Sequence, residues 1–135
     1  MNLTDAKLAI EGDLGNAFDP DQEDGLEFLL TPFSFPTGEV IALAIEEDPL
    51  RVTDVGSVDG FLAERGISWD GELLIISKDL CRPRGVRIEG GLLVRNCTEQ
   101  TLSTAALQVV QAALEIVGAS RGLRPRMSTL RDPEN

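Results

Sequence analysis

The spacing of apolar and polar residues changes along the chain, and each change marks the boundary of a predicted element. In residues 3–18 the apolar positions recur every three or four residues. That spacing predicts an amphipathic helix whose apolar face carries Leu3, Ala6, Ile10, Leu14 and Ala17/Phe18. Residues 19–25 are polar apart from Pro20 and Gly25, so a turn or loop is expected there.

Three segments after this turn have the pattern of β-strands. Residues 26–30 alternate in part, and we expect that strand to end at Thr31-Pro32-Phe33 because proline cannot donate to a central ladder. Residues 39–45 are almost continuously apolar, which is typical of a central strand covered on both faces. Residues 50–54 alternate again and are predicted to pair with the preceding strand as a hairpin.

Two short helices are predicted in the middle of the chain. The first covers residues 57–66, with Ser57 as its N-cap and Gly66 as its C-terminal stop. The second covers residues 70–80 and buries Leu73, Leu74, Ile76 and Leu80. The single tryptophan, Trp69, lies between the two helices, where a role in the core is favoured over a role as a ligand platform.

The last part of the chain predicts a hairpin and a long helix. Gly90 and Gly91 separate two short apolar runs, which is a good signal for a two-residue hairpin turn. Residues 99–117 have a continuous apolar stripe at helical spacing, and Thr98 or Asn96 is available to cap the helix. Residues 121–135 show no periodicity and are expected to form a loose tail.

The predicted element order is therefore α-β-β-β-α-α-β-β-α. Adjacent hairpins favour an antiparallel sheet of about five strands with the helices packed against it. We accordingly predict one α+β domain over residues 1–120, followed by the tail at residues 121–135. A chain of 135 residues is long enough for one such domain and too short for two ordinary ones.

The charge of the chain is strongly negative and unevenly distributed. The formal charge is −11, yet residues 1–60 alone carry fourteen acidic and two basic side chains. This half repels nucleic acid and favours a protein partner with a basic surface, or it serves only to keep the chain in solution. The chain has no apolar run of bilayer length and no signal-peptide pattern at its start, so a cytoplasmic protein without a membrane segment is expected.

The sequence lacks the residues that several kinds of catalysis require. Histidine and tyrosine are absent, and the two cysteines, Cys81 and Cys97, are not in a CxxC motif. Neither a GxxxxGK[ST] phosphate loop nor a GxGxxG motif after a strand is present. These observations favour a non-catalytic protein with no cofactor and no metal. The alternative enzyme is a metal-dependent one that works through carboxylates, with Asp54 as its best single residue.

Seven residues are candidates for an interaction site. Four belong to the strand ends and the following turn, namely Thr31, Phe33, Thr53 and Asp54. Both segments also have a structural alternative. Thr31-Pro32-Phe33 can end a strand and place Phe33 in the core. Asp54 and Ser57 can satisfy the free N–H groups of a helix start, with Gly56 between them at a positive φ. The other three are basic: Arg82, Arg84 and Arg87.

Short motifs in a fixed order also suggest a relationship. Thr31-Pro32-Phe33, then Val52-Thr53-Asp54-Val55-Gly56, then Gly85-Val86 and a final amphipathic helix resemble a bacterial domain-of-unknown-function family common in prophages and mobile elements. The resemblance covers about residues 3–119, and Val55 stands where that family has a second Asp. It implies a cytoplasmic, phage-linked setting and carries no activity with it.

The function expected from the sequence is that of a non-catalytic interaction protein of phage or mobile-element type. It would bind a host macromolecule, and its carboxylates could imitate DNA phosphates in a basic groove of a defence or nucleic-acid-processing complex. The alternatives are the metal-dependent enzyme and a nucleic-acid binder that uses the arginines above together with Arg95, Arg121, Arg124 and Arg126. A homodimer through the alanines of the final helix is a further alternative.

Overall fold

The computed structural model of the chain describes the backbone of residues 19–23 and 26–122. It describes the side chains of the same residues except 19–23, 26, 27 and 29. The described strands are β1 (Asp19–Glu23), β2 (Leu26–Ser34), β3 (Val40–Glu46), β4 (Arg51–Thr53), β5 (Arg87–Glu89) and β6 (Leu92–Asn96). The described helices are α1 (Ser57–Glu64), α2 (Gly71–Cys81) and α3 (Leu102–Ser120), with short 3-10 helices at Arg82–Arg84 and Glu99–Thr101. The helix predicted over residues 3–18 and nearly all of the predicted tail lie outside this part of the chain.

The strands form one antiparallel sheet in the order β1-β2-β3-β4-β6-β5. The predicted α+β class with an antiparallel sheet of about five strands is confirmed, and the described sheet has six. The additional strand is β1, which pairs with β2 from Asp19 opposite Leu30 to Glu23 opposite Leu26. The prediction of a loop there is wrong because an edge strand is held by main-chain bonds on one side only, and it accepts polar residues and proline.

The three helices lie on one face of the sheet and enclose the core with it. Ile41, Leu43 and Ile45 of β3 point into this core and are fully buried. Burial of each such side chain stabilises the fold by about 1.5–3 kcal/mol. The helix α3 contributes the most buried positions, since its apolar stripe packs against β4, β6 and the other two helices.

The opposite face of the sheet, which we call the outer face, is also apolar. It contains the alternate β3 residues Val40, Ala42 and Ala44, and their register partners Leu30 and Thr53. At its centre Ala44 and Thr53 are buried, so β3 is covered on both faces there, as its continuous apolar run predicts.

The strand β2 does not end at Thr31 as predicted, but it becomes irregular there. Its register with β3 shifts between the pair Leu30–Ala42 and the pair Ser34–Val40. The hydroxyl of Thr31 donates to the carbonyl of Ile41 at 2.8 Å and accepts from the N–H of Phe33 at 3.1 Å. The side chain of Thr31 thus supplies hydrogen bonds where Pro32 and the irregular register interrupt the ladder.

The predicted helices are present with small differences at their ends. The helix α1 begins at Ser57 and has Gly56 as its N-cap, so the prediction of Ser57 in that role is wrong. Gly66 follows α1 with a φ of 68°, as expected of a helix stop. Thr98 caps the short 3-10 helix in front of α3 through a capping box, and α3 then continues to Ser120.

The hairpin predicted at Gly90 and Gly91 is confirmed. Both glycines have positive φ, 57° and 82°, which a two-residue turn of type I′ requires. A Cβ on Gly91 would lie 3.3 Å from the carboxyl carbon of Asp59, so the turn approaches α1 closely.

One described segment, Glu99–Ser120, has the length and composition of a membrane-crossing helix. Eleven residues of α3 are nevertheless buried inside this fold. A core helix of this kind is apolar for the same reason as a membrane helix, because most of its surface avoids water.

Candidate binding surface

Asp54 occupies the centre of the junction between β4 and α1. Its side chain is fully buried, and Oδ1 accepts hydrogen bonds from the N–H groups of Gly56 and Leu93, both at 3.0 Å. Oδ2 accepts a third hydrogen bond from the N–H of Val58 at 3.1 Å. The prediction that Asp54 satisfies free N–H groups at this helix start is therefore confirmed. The same role predicted for Ser57 is wrong, because its hydroxyl donates to the carbonyl of Asp54 at 2.8 Å.

Burial is the main influence on the ionisation of this carboxylate. Loss of hydration raises the pKa of Asp54, and the N–H groups of Leu93, Val58 and Gly56 oppose that rise. Because the side chain is enclosed and its oxygens bind main-chain N–H groups, Asp54 is not placed to receive an ion from solvent. Within residues 19–23 and 26–122, no group of three or more His, Cys, Asp or Glu is placed to hold a metal ion.

The turn after Asp54 has an unusual backbone conformation. Val55 and Gly56 have φ values of 48° and 81°, and the N–H of Ser57 closes the turn on the carbonyl of Asp54 at 3.0 Å. Glycine adopts such a conformation freely, whereas a β-branched residue is strained in it by about 1–3 kcal/mol. The positive φ predicted for Gly56 is confirmed. Val55 also has a positive φ, which was not predicted from the sequence.

Thr53 and Thr31 are buried and have structural partners. Thr53 is only 2% exposed, and its hydroxyl accepts from the N–H of Val55 at 3.2 Å. Thr31 is 4% exposed and bridges the irregular part of β2, as described above. Neither threonine has a side chain that a partner could reach without rearrangement of the strands.

Phe33 differs from the two threonines because it is exposed. The structural alternative that places Phe33 in the core is wrong: its side chain is 37% exposed. The neighbouring Phe35 enters the core instead, where its ring lies 4.9 Å from that of Phe61. Phe35 follows the last residue of β2, and its N–H donates to the carbonyl of Glu39 at 2.9 Å in the turn to β3.

Four exposed apolar side chains lie at one end of the sheet, and we call them the apolar patch: Leu30, Phe33, Val40 and Val55. Leu30 and Val40 are on the outer face, since Leu30 pairs with Ala42 and Val40 alternates with it. Phe33 lies in the irregular stretch between Leu30 and Ser34, and Ser34 is the register partner of Val40. In the described part of the chain, Ile75 on α2 is the large exposed apolar residue outside this patch.

Two contacts bring Val55 to the same end of the sheet. The hydroxyl of Ser57 lies 3.5 Å from the carbonyl oxygen of Ala42, which places the turn beside the end of β3. A Cβ on Gly56 would lie 3.7 Å from Cδ2 of Leu92, so the turn also adjoins β6. These two contacts place the turn that carries Val55 beside β3 and β6, at the end of the sheet where β3 begins.

The three candidate arginines do not form one surface. Arg82 pairs with Asp79 at 3.0 Å and is mostly exposed. Arg84 is directed to the helix layer, and Arg87 projects from β5, where it pairs with Glu89 and donates to Asn96 at 3.0 Å. Each of these positive charges thus has an acidic neighbour in the fold itself.

Arg84 has the most extensive set of partners among the arginines that the structure describes. Its Nη2 and Nε donate to the two carboxylate oxygens of Glu115 at 2.8 and 3.0 Å, and its Nη1 reaches Gln108 and Gln111. A two-pronged arginine–carboxylate pair is among the stronger ion pairs in proteins. Arg84 therefore joins the 3-10 helix to α3 and is not available as a basic contact.

Both cysteines are free thiols. Burial raises the pKa of Cys81 to about 11, helped by the negative charges of Asp54 and Glu115. Burial also raises the pKa of Cys97. Thiols with raised pKa values are poor nucleophiles at neutral pH, so both cysteines act as small apolar residues of the fold.

Comparison of the chain with protein-family models, curated proteins and solved structures gave no match. The resemblance to a phage-linked family thus stays a prediction. Three residues of the patch, Leu30, Val40 and Val55, were not among the candidates from the sequence. A signal for Val40 was present, since the apolar run of β3 continues to the exposed start of the strand.

Proposed function

We propose that this chain is a non-catalytic binding domain that recognises a protein partner through the apolar patch. The observation that carries the proposal is the grouping of Leu30, Phe33, Val40 and Val55 at one end of the sheet, each at least 37% exposed. Single exposed apolar residues are ordinary on protein surfaces, but several of them at one end of a sheet are typical of an interaction site.

The conformation of Val55 supports the same proposal. A strained, exposed valine adds no evident stability, because Gly or Asn would fit a positive φ with less strain. The turn is nevertheless held rigidly, since Asp54 and Thr53 bind its main-chain N–H groups. Rigid presentation of an apolar side chain reduces the entropy lost when a partner binds.

The charge beside the patch is small. Glu39 directly precedes Val40 and pairs with Arg65 at 2.9 Å, while Glu46, Glu47 and Asp48 lie at the opposite end of β3. We therefore propose a partner segment whose contact is mainly apolar, so that apolar side chains supply most of the affinity.

Mimicry of DNA receives less support than apolar recognition. A mimic needs carboxylates that are free to take the place of phosphates, but Asp54 is buried and several described acids pair with arginines. These pairs are Glu39–Arg65, Glu46–Arg51, Asp79–Arg82, Glu89–Arg87 and Glu115–Arg84. The nucleic-acid-binding alternative is weakened by the same pairs, since the arginines are neutralised locally.

The test compares matched variants in affinity capture. The wild-type chain, the double variant Leu30→Thr/Val40→Thr and the control Ile75→Thr are immobilised at equal density and exposed to a lysate of the source cells. Ile75 is a suitable control because it is 64% exposed but lies on α2, outside the patch. We expect the wild type and Ile75→Thr to retain the same protein and the double variant to lose it.

Binding of the captured protein is then measured with purified components. Loss of two exposed aliphatic contacts is expected to weaken the affinity at least tenfold, while Ile75→Thr changes it by less than about twofold. Equal affinity of the double variant and the wild type would contradict the proposal. So would the absence of any protein that distinguishes the wild type from the double variant.

A further inference from the structure

A groove lies on the helix-covered side of the molecule, away from the outer face. It has a volume of about 450 Å³ and lies between α2 and the β5–β6 hairpin. Its walls are formed by Trp69, Leu74, Lys78, Ile88 and Asp59, with Gly90 and Gly91 at the hairpin turn. A volume of this size is within the usual range for sites that bind small molecules.

Trp69 forms a fixed apolar wall of the groove. Its indole N–H donates to the hydroxyl of Ser77 at 2.9 Å, and that hydroxyl donates to the carbonyl of Leu73 at 2.6 Å. Ser77 is fully buried, so reorientation of the indole would leave a buried hydroxyl with one partner fewer. The indole is therefore held in place before any ligand arrives, beside the apolar side chains of Leu74 and Ile88.

The two charged residues that line the groove, Lys78 and Asp59, lie on different elements. Lys78 is exposed on α2 and makes no ion pair with the described residues, and the adjacent Asp79 is already paired with Arg82 at 3.0 Å. Asp59 stands at the hairpin side, next to Gly91. A ligand with one negative charge would thus be attracted at the Lys78 side and repelled at the Asp59 side.

We propose that this groove binds a small organic anion with a flat apolar body and a single carboxylate or sulfonate group. The apolar body lies against Trp69, and the anionic group is held by the ammonium of Lys78. A dianion is disfavoured by Asp59, and a neutral compound of the same shape lacks the ionic contact. This site is independent of the apolar patch and of the protein partner proposed for it.

The sequence offers a direct readout of the groove. Trp69 is the only tryptophan and the chain has no tyrosine, so all of the tryptophan emission comes from this groove. The probe is 1-anilinonaphthalene-8-sulfonate, which has an apolar aromatic body and one sulfonate. Its neutral counterpart is N-phenyl-1-naphthylamine, which lacks the sulfonate. Titration with each compound follows the decrease in Trp69 emission and energy transfer to the probe.

We expect saturable quenching of Trp69 by the sulfonate and binding of the neutral compound that is about tenfold weaker, since one charge-assisted contact is lost. The variant Lys78→Met should weaken sulfonate binding by about the same factor and leave the neutral compound unaffected. Lys78→Arg retains the charge and should bind within about threefold of the wild type. Lys78 is exposed, and circular dichroism confirms that each variant is folded.

The double variant Leu30→Thr/Val40→Thr separates this site from the apolar patch. It should bind the sulfonate as the wild type does, so the result does not depend on the proposed function. Loss of the energy transfer in this double variant would place the probe on the patch and overturn the inference. Equal binding of the two probes, or equal binding by Lys78→Met and Lys78→Arg, would also overturn it.

Discussion

The carboxylate of Asp54 accepts a hydrogen bond from the N–H of Leu93 at 3.0 Å, although 39 residues separate the two along the chain. The N–H of Asp54 in turn donates to the carbonyl of Leu93 at 3.1 Å. Because the same carboxylate holds Gly56 and Val58, one side chain joins the turn before α1 to β6. The position of Val55 in the apolar patch therefore depends on Asp54.

The variant Asp54→Asn is expected to lower the free energy of unfolding by about 2–3 kcal/mol at pH 7. The amide oxygen can still accept from Gly56 and Leu93, but the amide nitrogen then faces the N–H of Val58, which is left without an acceptor. The control Glu47→Gln removes the same charge from an exposed turn and should change stability by less than about 0.5 kcal/mol. Urea denaturation measures both, and a change below about 1 kcal/mol for Asp54→Asn would contradict the structural role of this carboxylate.

The stability difference between the wild type and Asp54→Asn should depend on pH. Burial raises the pKa of Asp54 above its ordinary value of 3.8, so the folded state holds this proton more tightly than the unfolded state. The contribution of Asp54 to stability thus increases as the pH falls through the raised pKa towards 3.8, and decreases as the pH rises. Denaturation at pH 7, 5.5 and 4 should show a widening gap between the two proteins. A narrowing gap would mean that the three N–H donors outweigh burial.

The variant Val55→Asn is expected to stabilise the fold and weaken partner binding. Asparagine tolerates a positive φ, so relief of strain should raise the free energy of unfolding by about 1 kcal/mol. The same change at Val40 is the control, because Val40 is exposed in a regular strand and Val40→Asn should be neutral or destabilising. Stabilisation by both variants, or by neither, would argue against strain at Val55.

The variant Arg84→Lys should lower the free energy of unfolding by about 1 kcal/mol. Lysine cannot reproduce the two-pronged contact with Glu115 or reach both glutamines of α3 at once. Partial exposure of the pair limits the effect. Arg82→Lys should have almost no effect, since that ion pair is mostly exposed. Thermal unfolding of the two variants side by side provides the comparison.

Local patterns were sufficient to predict much of the fold. The Gly90-Gly91 hairpin needs positive φ at adjacent residues, and only glycine satisfies this without strain. The continuous apolar run of β3 follows from coverage of both faces, and the apolar stripe of α3 follows from its burial against the sheet. Each of these signals lies within one segment and needs no knowledge of distant contacts.

The features that the sequence did not reveal depend on distant partners. The strand β1 is polar and is held by main-chain pairing with β2, which leaves no apolar pattern. Phe35, and not Phe33, enters the core, where it packs against Phe61 of α1, a residue distant in the sequence. The role of Asp54 as a link to Leu93 could not be read from its neighbours, although its local role at the helix start could be.

The central claim, that the apolar patch binds a protein partner, is tested most directly by photo-crosslinking. The residue p-benzoylphenylalanine is placed at position 40 in one protein and at position 75 in another, both exposed in the fold. After irradiation in a lysate of the source cells, position 40 should give a discrete adduct with one protein that position 75 does not give. Adducts of the same proteins and yield from both positions, or none from position 40, would contradict the account.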